Sequence, residues 1–331
     1  MPNVTALVID GAALVQMIPP RESATFGDYC RNEFTAHLLS KVRRSSITRL
    51  DIVFDVYREK SIKGSAREKR GTGARIRVSD MTPITRKWSN FLRVNENKAE
   101  LFWLIARVCT TEAALCKTEV VVANDDEVSI NNEAINKEQI SPSNHEEADT
   151  RLFVHVKSLS NLGHQRVTIK TVDTDVIVIA ISLFRQLGLM QLWIEFGTGK
   201  DRRWLPIHEY VNALGERICS GLLFWYSFTG CDTVSSFSGR GKLSAWDVWK
   251  TFPEVTDTFI ALSNGPHAVT DEQMILLQRY VVLLYDRSSH CVTVNDARRW
   301  LFTKKSRTVE GMPPTEDALL QHIRRSVFQG G

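Results

Sequence analysis

The residues best suited to chemistry in this chain are seven carboxylates at the ends of apolar runs or the starts of helical patterns. They are Asp10, Asp55, Glu147, Asp149, Asp173, Asp175 and Asp232. Carboxylates that converge on one place repel each other, and a cation between them relieves that repulsion. Hard oxygen ligands in this number suit Mg²⁺ or Mn²⁺. Two such ions would support displacement at phosphorus, one activating water and the other stabilising the leaving oxygen.

The elements that must position these carboxylates alternate between strand and helix. Apolar, β-branched runs typical of buried strands lie at 5–10, 49–56, 118–124, 165–173 and 189–199. Helical spacing is found at 27–44, 87–109, 145–161 and 174–188, the last being a helix or a strand followed by a helix. This alternation predicts an α/β fold with a parallel sheet, in which ligands bind at the carboxyl ends of the strands. Asp10, Asp55 and Asp173 would lie at those ends.

Composition narrows the class of protein. The chain has 331 residues, a formal charge of +4 and six scattered cysteines without a CxxC pair. We therefore expect reduced thiols in a nuclear or cytoplasmic protein, not a disulfide framework or a zinc knuckle. The longest apolar runs have the length of a strand, so we expect no membrane span.

Two further segments carry no apolar stripe. Residues 58–77 hold eight basic residues against two acidic ones, which is typical of a solvated, mobile segment. Beside an acidic metal site, such a cationic segment would suit a phosphodiester substrate. Residues 124–144 are polar and read as a loop, whereas the chain from about residue 206 onward has helical periods.

The order of the motifs VID, VFD, EAD, VDTD and GCD resembles the PIN-like nuclease superfamily, in particular its flap endonuclease/XPG type. The resemblance implies a three-layer αβα sandwich around a central, mainly parallel sheet. It implies a nuclease domain at 1–250, with a basic mobile arch at about 58–86, followed by a helical extension at 251–331. The activity it implies is metal-dependent hydrolysis of phosphodiester bonds in nucleic acid, with DNA favoured over RNA and structured DNA as the substrate.

The same resemblance implies roles for individual residues. The seven carboxylates would hold two Mg²⁺ or Mn²⁺ ions, and Lys63, Lys69 and Arg70 of the arch would act on the scissile phosphate. Further contacts to nucleic acid would come from Lys60, Arg67, Gly239, Arg240, Gly241 and Lys242. The turn SFSGRGKLSAW at 236–246, which holds the last four, would grip a duplex backbone through a bound K⁺ ion.

Other interpretations of these motifs stay open. The DxD of Asp173 and Asp175 also fits a surface turn, a glycosyltransferase metal motif or the nucleophile motif of haloacid-dehalogenase-type phosphatases. Glu147 and Asp149 also suit a helix N-terminus, and Glu146 competes with Glu147 for the same role. The chain is similar as well to uncharacterised multicopy animal proteins with HEEADTR, VDTDV, FGTGK and GCDTVSSF segments. An inactive PIN-like module, derived from a mobile element and binding nucleic acid or protein, is the alternative to a nuclease.

Overall fold

A computed structural model describes residues 2–43, 45–57, 73–114, 116–143, 145, 147–265, 268–303 and 308–330. The chain divides into two compact units, Met1–Tyr210 and Val211–Gly331. The predicted nuclease domain at 1–250 takes in the whole first unit and the start of the second, and its boundary stays a prediction.

A seven-stranded sheet is the centre of the first unit as far as the structure describes it. The strands are β1 (Ala6–Asp10), β2 (Arg49–Val53), β3 (Glu119–Asn124), β4 (Glu127–Ile130), β5 (Arg166–Thr171), β6 (Gln191–Phe196) and β7 (Arg203–Pro206). Their order is β4-β3-β2-β1-β5-β6-β7. Strands β3, β2, β1, β5 and β6 run parallel, while β4 and β7 are antiparallel edges. The predicted α/β class with a mainly parallel sheet is thereby confirmed.

Helices follow most of the strands. They are α1 (Gly11–Met17), α2 (Phe26–Asp28), α3 (Ala36–Arg43), α4 (Trp88–Phe91), α5 (Asn95–Glu112), α6 (Ala148–Asn161), α7 (Thr174–Leu187) and α8 (Ile207–Leu214). A π-helical segment, Tyr29–Thr35, joins α2 to α3. On β2, Asp51 contacts His155 of α6, whereas its neighbour Ile52 lies in the apolar core with Leu101 of α5. Because successive strand residues point to opposite faces, α6 and α5 cover opposite faces of the sheet.

A close approach of α1 to the end of β2 fixes the spacing of two strand ends. A Cβ atom at Gly11 would lie 2.4 Å from the ring of Phe54, so a larger residue there would displace the ring. Phe54 is itself held by stacking on Phe102, with ring centroids 4.1 Å apart. Gly11 follows Asp10 and Phe54 precedes Asp55, so a larger residue at position 11 would disturb the chain beside both carboxylates.

The second unit is helical in its described part, as the sequence predicts. Its helices after α8 are α9 (Glu216–Phe228), α10 (Lys242–Thr251), α11 (Thr256–Leu262), α12 (Asp271–Tyr285), α13 (Val294–Thr303) and α14 (Glu316–Gly330). Aromatic rings form its core, where Trp249 is buried and packs edge-on against Phe259 at 5.0 Å. None of the helices in the described ranges is long and apolar enough to cross a bilayer.

Candidate acidic site at the strand ends

Three aspartates lie at the carboxyl ends of three neighbouring strands. Asp10 is the last residue of β1, Asp55 follows β2 and Asp173 follows β5. The sheet order β2-β1-β5 places these ends side by side. Burial is the main cause that raises the pKa of Asp10, and repulsion from Asp55 and Asp173 adds to it. Together they outweigh a backbone hydrogen bond from Ala13 and leave this pKa at about 7.

Each of these aspartates also meets the N-terminus of a helix. The N-cap residue of α1 is Asp10, whose Oδ1 accepts a hydrogen bond of 2.9 Å from the Ala13 N–H. Asp173 caps α7 in the same way, accepting from the Asp175 N–H at 2.8 Å. Asp55 accepts from the N–H of Ala148, the first residue of α6, at 2.9 Å. The positive ends of three helices therefore offset part of the negative charge at the strand ends.

The helix starts bring three more of the predicted carboxylates to this edge. Glu147 is the N-cap residue of α6 and Asp149 lies in its first turn. Asp175 lies in the first turn of α7. Because Asp55 bonds directly to the start of α6, six of the seven predicted ligands belong to the carboxyl edge of this sheet. We call these six residues the acidic edge.

The acidic edge contains the ligand type that a divalent metal prefers. In this structure, however, three of its carboxylates are hydrogen-bonded to helix starts. Carboxylate oxygens are the ligands that Mg²⁺ and Mn²⁺ prefer. Among the described residues, no group of three or more His, Cys, Asp or Glu side chains is arranged to hold a metal ion. Asp10, Asp55 and Asp173 each direct one carboxylate oxygen to a helix N–H. Each of these three carboxylates therefore uses one of its two oxygens to accept from a helix start.

The seventh carboxylate, Asp232, belongs to the second unit. It is exposed, in a tight turn where the Cys231 N–H donates to the Val234 carbonyl at 3.0 Å. Gly230 makes this turn possible, since its φ is 108° and an added Cβ would lie 2.7 Å from Ser236. The role of Asp232 as a ligand stays a prediction.

The cationic residues of the 236–246 turn have partners inside the second unit. The Arg240 guanidinium lies over the ring of Tyr285, 5.0 Å from its centroid. The Lys242 ammonium donates to the carbonyls of Tyr226 and Gly230 and to Thr229 Oγ1, at 2.8, 2.6 and 3.1 Å. The Lys242 ammonium thus occupies the position between these three oxygens. They therefore do not support the predicted K⁺ site.

The glycines of this turn differ in conformation. Gly239 has a φ of 67°, and Gly241 is the N-cap residue of α10 with a φ of −82°. A Cβ atom at either position would meet nothing within 4 Å. Contacts from Gly239, Arg240, Gly241 and Lys242 to nucleic acid stay predictions.

Most of the predicted arch lies outside the described residues. This applies to Lys60, Lys63, Arg67, Lys69 and Arg70, and also to Glu146. The later part of the 58–86 segment is described and contacts α5. There the Ile76 N–H donates to Asn97 at 2.8 Å, and the Val78 N–H donates to Glu100 at 2.7 Å.

A buried ionic network that the sequence analysis missed holds α6 against β2. Asp51, completely buried, accepts from Arg49 Nε at 2.5 Å and pairs with His155 Nδ1 at 2.7 Å. Burial alone would raise the pKa of Asp51, but its interactions with His155 and Arg49 outweigh burial and lower it. The signal in the sequence was two charged residues, Arg49 and Asp51, inside an otherwise apolar strand. The network matters for the site because α6 carries Glu147 and Asp149 at its start.

No family model matches the chain, and no curated protein matches it either. Among solved structures, the chain is similar to a mutant of the T5 5′-exonuclease, with a TM-score of 0.43 and 12% identity over 98% of this chain and 99% of that one. It is similar to a T5 protein co-crystallised with metal ions, with a TM-score of 0.42 and 13% identity over 97% of this chain and 99% of that one.

Proposed function

We propose that this protein is a metal-dependent nuclease that hydrolyses phosphodiester bonds in nucleic acid, with structured DNA as the favoured substrate. One observation carries the proposal. Three neighbouring strands end in carboxylates that interact with each other, and the two following helices α6 and α7 start with three more. Three helices start at this edge and each needs one capping side chain, so six carboxylates exceed what capping requires. A cluster of hard oxygen ligands at the carboxyl edge of a parallel sheet suits divalent cations.

In this proposal the acidic edge holds two Mg²⁺ or Mn²⁺ ions. When bound, such ions activate water and stabilise the leaving oxygen of a phosphodiester. The contribution of the chain is to hold Asp10, Asp55 and Asp173 at fixed strand ends, where Gly11 and the buried Asp51 network set the spacing. The remaining carboxylates, Glu147, Asp149 and Asp175, lie on rigid helix starts instead of loops. Such rigidity is what a metal centre needs from its scaffold.

The finer assignments belong to the same proposal and rest on the sequence resemblance. Asp232 would complete the ligand set, and Lys63, Lys69 and Arg70 would stabilise charge on the scissile phosphate. Contacts to nucleic acid would come from Lys60, Arg67 and the 236–246 turn. A nuclear or cytoplasmic location follows from the scattered cysteines.

Asp175→Asn is the variant that tests the nuclease assignment most cleanly. Asp175 lies in the first turn of α7, and the matched control Asp271→Asn lies in the first turn of α12 in the other unit. We expect Asp175→Asn to lose Mg²⁺-dependent cleavage of labelled DNA while keeping the circular-dichroism spectrum and the melting temperature. The control should cleave like the wild type. Equal cleavage by both variants would refute the assignment.

A second function, a non-catalytic module that binds nucleic acid or protein, is favoured by a different observation. The carboxylates of Asp10, Asp55 and Asp173 each accept a hydrogen bond from an N–H at a helix start. If capping is their whole role, Mg²⁺ and Mn²⁺ will leave the melting temperature unchanged. Binding of labelled DNA or RNA without cleavage in either metal would then favour the module over the nuclease.

A further inference from the structure

The first unit also contains a cluster with an excess of positive charge, in contrast to the negatively charged acidic edge. Its centre is Glu195 on β6, whose side chain is completely buried. Lys170 of β5 reaches one carboxylate oxygen at 2.7 Å and Lys41 of α3 reaches the other at 2.5 Å. The guanidinium of Arg202 stands 3.8 Å from the first oxygen. Three cations from three different elements therefore share one anion.

The charges in this cluster do not balance. Three positive groups against one carboxylate leave two positive charges in excess, in a place where the Lys170 and Lys41 side chains are only 9% and 19% exposed. Burial lowers the pKa of Lys41, and repulsion from Lys170 and Arg202 lowers it further, although Glu195 acts in the other direction. Among the described residues, Glu195 is the one hydrogen-bond acceptor for both ammonium groups. Each ammonium has three N–H donors and gives one of them to Glu195. The other donors can bind a second anion.

A purely structural salt bridge would need only one lysine on Glu195. The exposed Arg202 can be stabilised by solvent and needs no ligand to balance its charge. Neither explains two lysines that converge on one fully buried carboxylate, because each added cation costs desolvation that the single anion does not offset. An arrangement with surplus positive charge is what a site for an anionic ligand requires.

The position of the cluster relates it to the acidic edge. Lys170 pairs with Ile9, the residue before Asp10, and lies three residues before Asp173 on the same stretch of chain. Asp10 therefore lies one residue further along the adjacent strand than Lys170, and its side chain points to the opposite face of the sheet.

The loop after β6 gives the cluster an accessible side. Gly197 and Gly199 have φ values of 82° and 53°, and an added Cβ at Gly197 would lie 2.8 Å from the Asp201 carbonyl. The tight return made by these glycines presents Lys200 and Arg202 on the surface, both exposed. An incoming anion can therefore meet Arg202 first and the two lysines behind it.

We propose that Lys41, Lys170 and Arg202 form a binding site for a phosphodiester group of the nucleic acid, near the carboxyl ends of β5 and β6. This site rests on the proposed function, because it takes its ligand from the same substrate. It adds a fixed contact that sets which bond along the strand reaches the acidic edge. Phosphate contacts of this kind position a nucleic acid without reading its sequence.

Binding measured without cleavage tests this site. The dissociation constant of a fluorescent 20-nucleotide DNA strand and its duplex would be measured by anisotropy in EDTA, across a series of salt concentrations. The variants are Arg202→Ala and Lys41→Ala, and the controls are Arg185→Ala and Lys157→Ala, which remove the same charges from α7 and α6. Arg202 is 55% exposed, so its removal leaves the fold intact, and melting temperatures verify this for every variant.

We expect Arg202→Ala to weaken binding about tenfold and to lower the slope of log K against log salt by about 0.7 to 0.9, the value for one phosphate contact. The controls should leave both quantities close to the wild type. Binding by Arg202→Ala and Lys41→Ala that equals the controls would overturn the site while leaving the nuclease proposal standing. Weakened binding in a protein that cleaves nothing would support the site and contradict the nuclease. A wild-type protein that binds no nucleic acid would contradict both.

Discussion

Replacing Asp10 by asparagine should stabilise the metal-free protein, although it removes a proposed ligand. Asparagine is as good an N-cap residue as aspartate, so the bond to the Ala13 N–H at the start of α1 is kept. What the substitution removes is a buried negative charge next to Asp55 and Asp173. The unfolded chain gains nothing from this change, so the difference appears as stability of the folded state.

The magnitude and its pH dependence follow from the pKa of Asp10. The rise from 3.8 to about 7 corresponds to about 4 kcal/mol, at about 1.4 kcal/mol per pKa unit. Because the folded state holds this proton more tightly than the unfolded state, Asp10 costs no stability below pH 3.8. The cost grows as the pH rises and is complete above about pH 7. In EDTA, the free energy of unfolding of Asp10→Asn should therefore exceed that of the wild type by up to about 4 kcal/mol at pH 8. At pH 4 the difference should be far smaller.

Urea unfolding at several pH values, with and without 10 mM Mg²⁺, would measure this difference. Mg²⁺ should stabilise the wild type more than the variant, because the wild type has the extra ligand. Asp28→Asn is a control of opposite sign, since hydrogen bonds from Thr25 lower the pKa of Asp28 and asparagine there should destabilise. Equal stability of Asp10→Asn and the wild type at pH 8 in EDTA would refute the view that burial and the neighbouring carboxylates make the charge of Asp10 costly.

Three other substitutions have expected outcomes. Asp51→Asn should cost about 3 to 5 kcal/mol, because it removes the buried carboxylate that pairs with Arg49 and His155 and leaves Arg49 with the partly exposed Glu119. In the wild type, protonation of Asp51 should remove that contribution as the pH falls below 3.8, since the pKa of Asp51 is lowered in the folded state. Gly11→Ala should cost about 1 to 3 kcal/mol, because its Cβ would lie 2.4 Å from the Phe54 ring. Lys242→Met should cost about 2 kcal/mol by removing the ammonium that donates to three oxygens, and exchanging K⁺ for Na⁺ should leave the wild-type melting temperature unchanged.

Thermal melts with matched controls decide these three outcomes. Gly241→Ala is the control for Gly11, since its Cβ would meet nothing within 4 Å. Lys250→Met is the control for Lys242, because the Lys250 side chain is exposed and its partner Asp247 is a half-exposed neighbour one turn away. If a variant is as stable as its control, the mechanism of destabilisation given for that position is wrong. For Asp51, an acid-unfolding midpoint equal in wild type and variant would contradict the role of the buried network.

The sequence predicted the five parallel strands because buried strands leave a strong pattern of apolar, β-branched residues. The edge strands β4 and β7 were missed. β4 is a four-residue strand in the segment read as a loop, and it follows a two-residue turn in which Asp125 has a φ of 53°. Short antiparallel edge strands carry a polar mixture that resembles a loop.

Within the site, the sequence predicted which carboxylates lie at the strand ends, but not how they are held. Capping by Asp10 and Asp173 could have been expected from their place before a helical pattern. The contact between Asp55 and Ala148 joins residues 93 positions apart, and only the folded sheet order brings them together. The cluster of Lys41, Lys170 and Glu195 was missed for the same reason, since its members are scattered along the chain.

The most direct test of the central claim is cleavage of labelled substrates by the wild type and Asp175→Asn, each in Mg²⁺ and in EDTA. The panel holds a single strand, a duplex, a 5′ flap and a bubble of DNA, together with an RNA strand. A metal-dependent nuclease predicts cleavage of at least one DNA substrate by the wild type in Mg²⁺, lost both in EDTA and in the variant. Cleavage that survives in the variant, or a wild type that binds these substrates and cleaves none of them in Mg²⁺ or Mn²⁺, would contradict it.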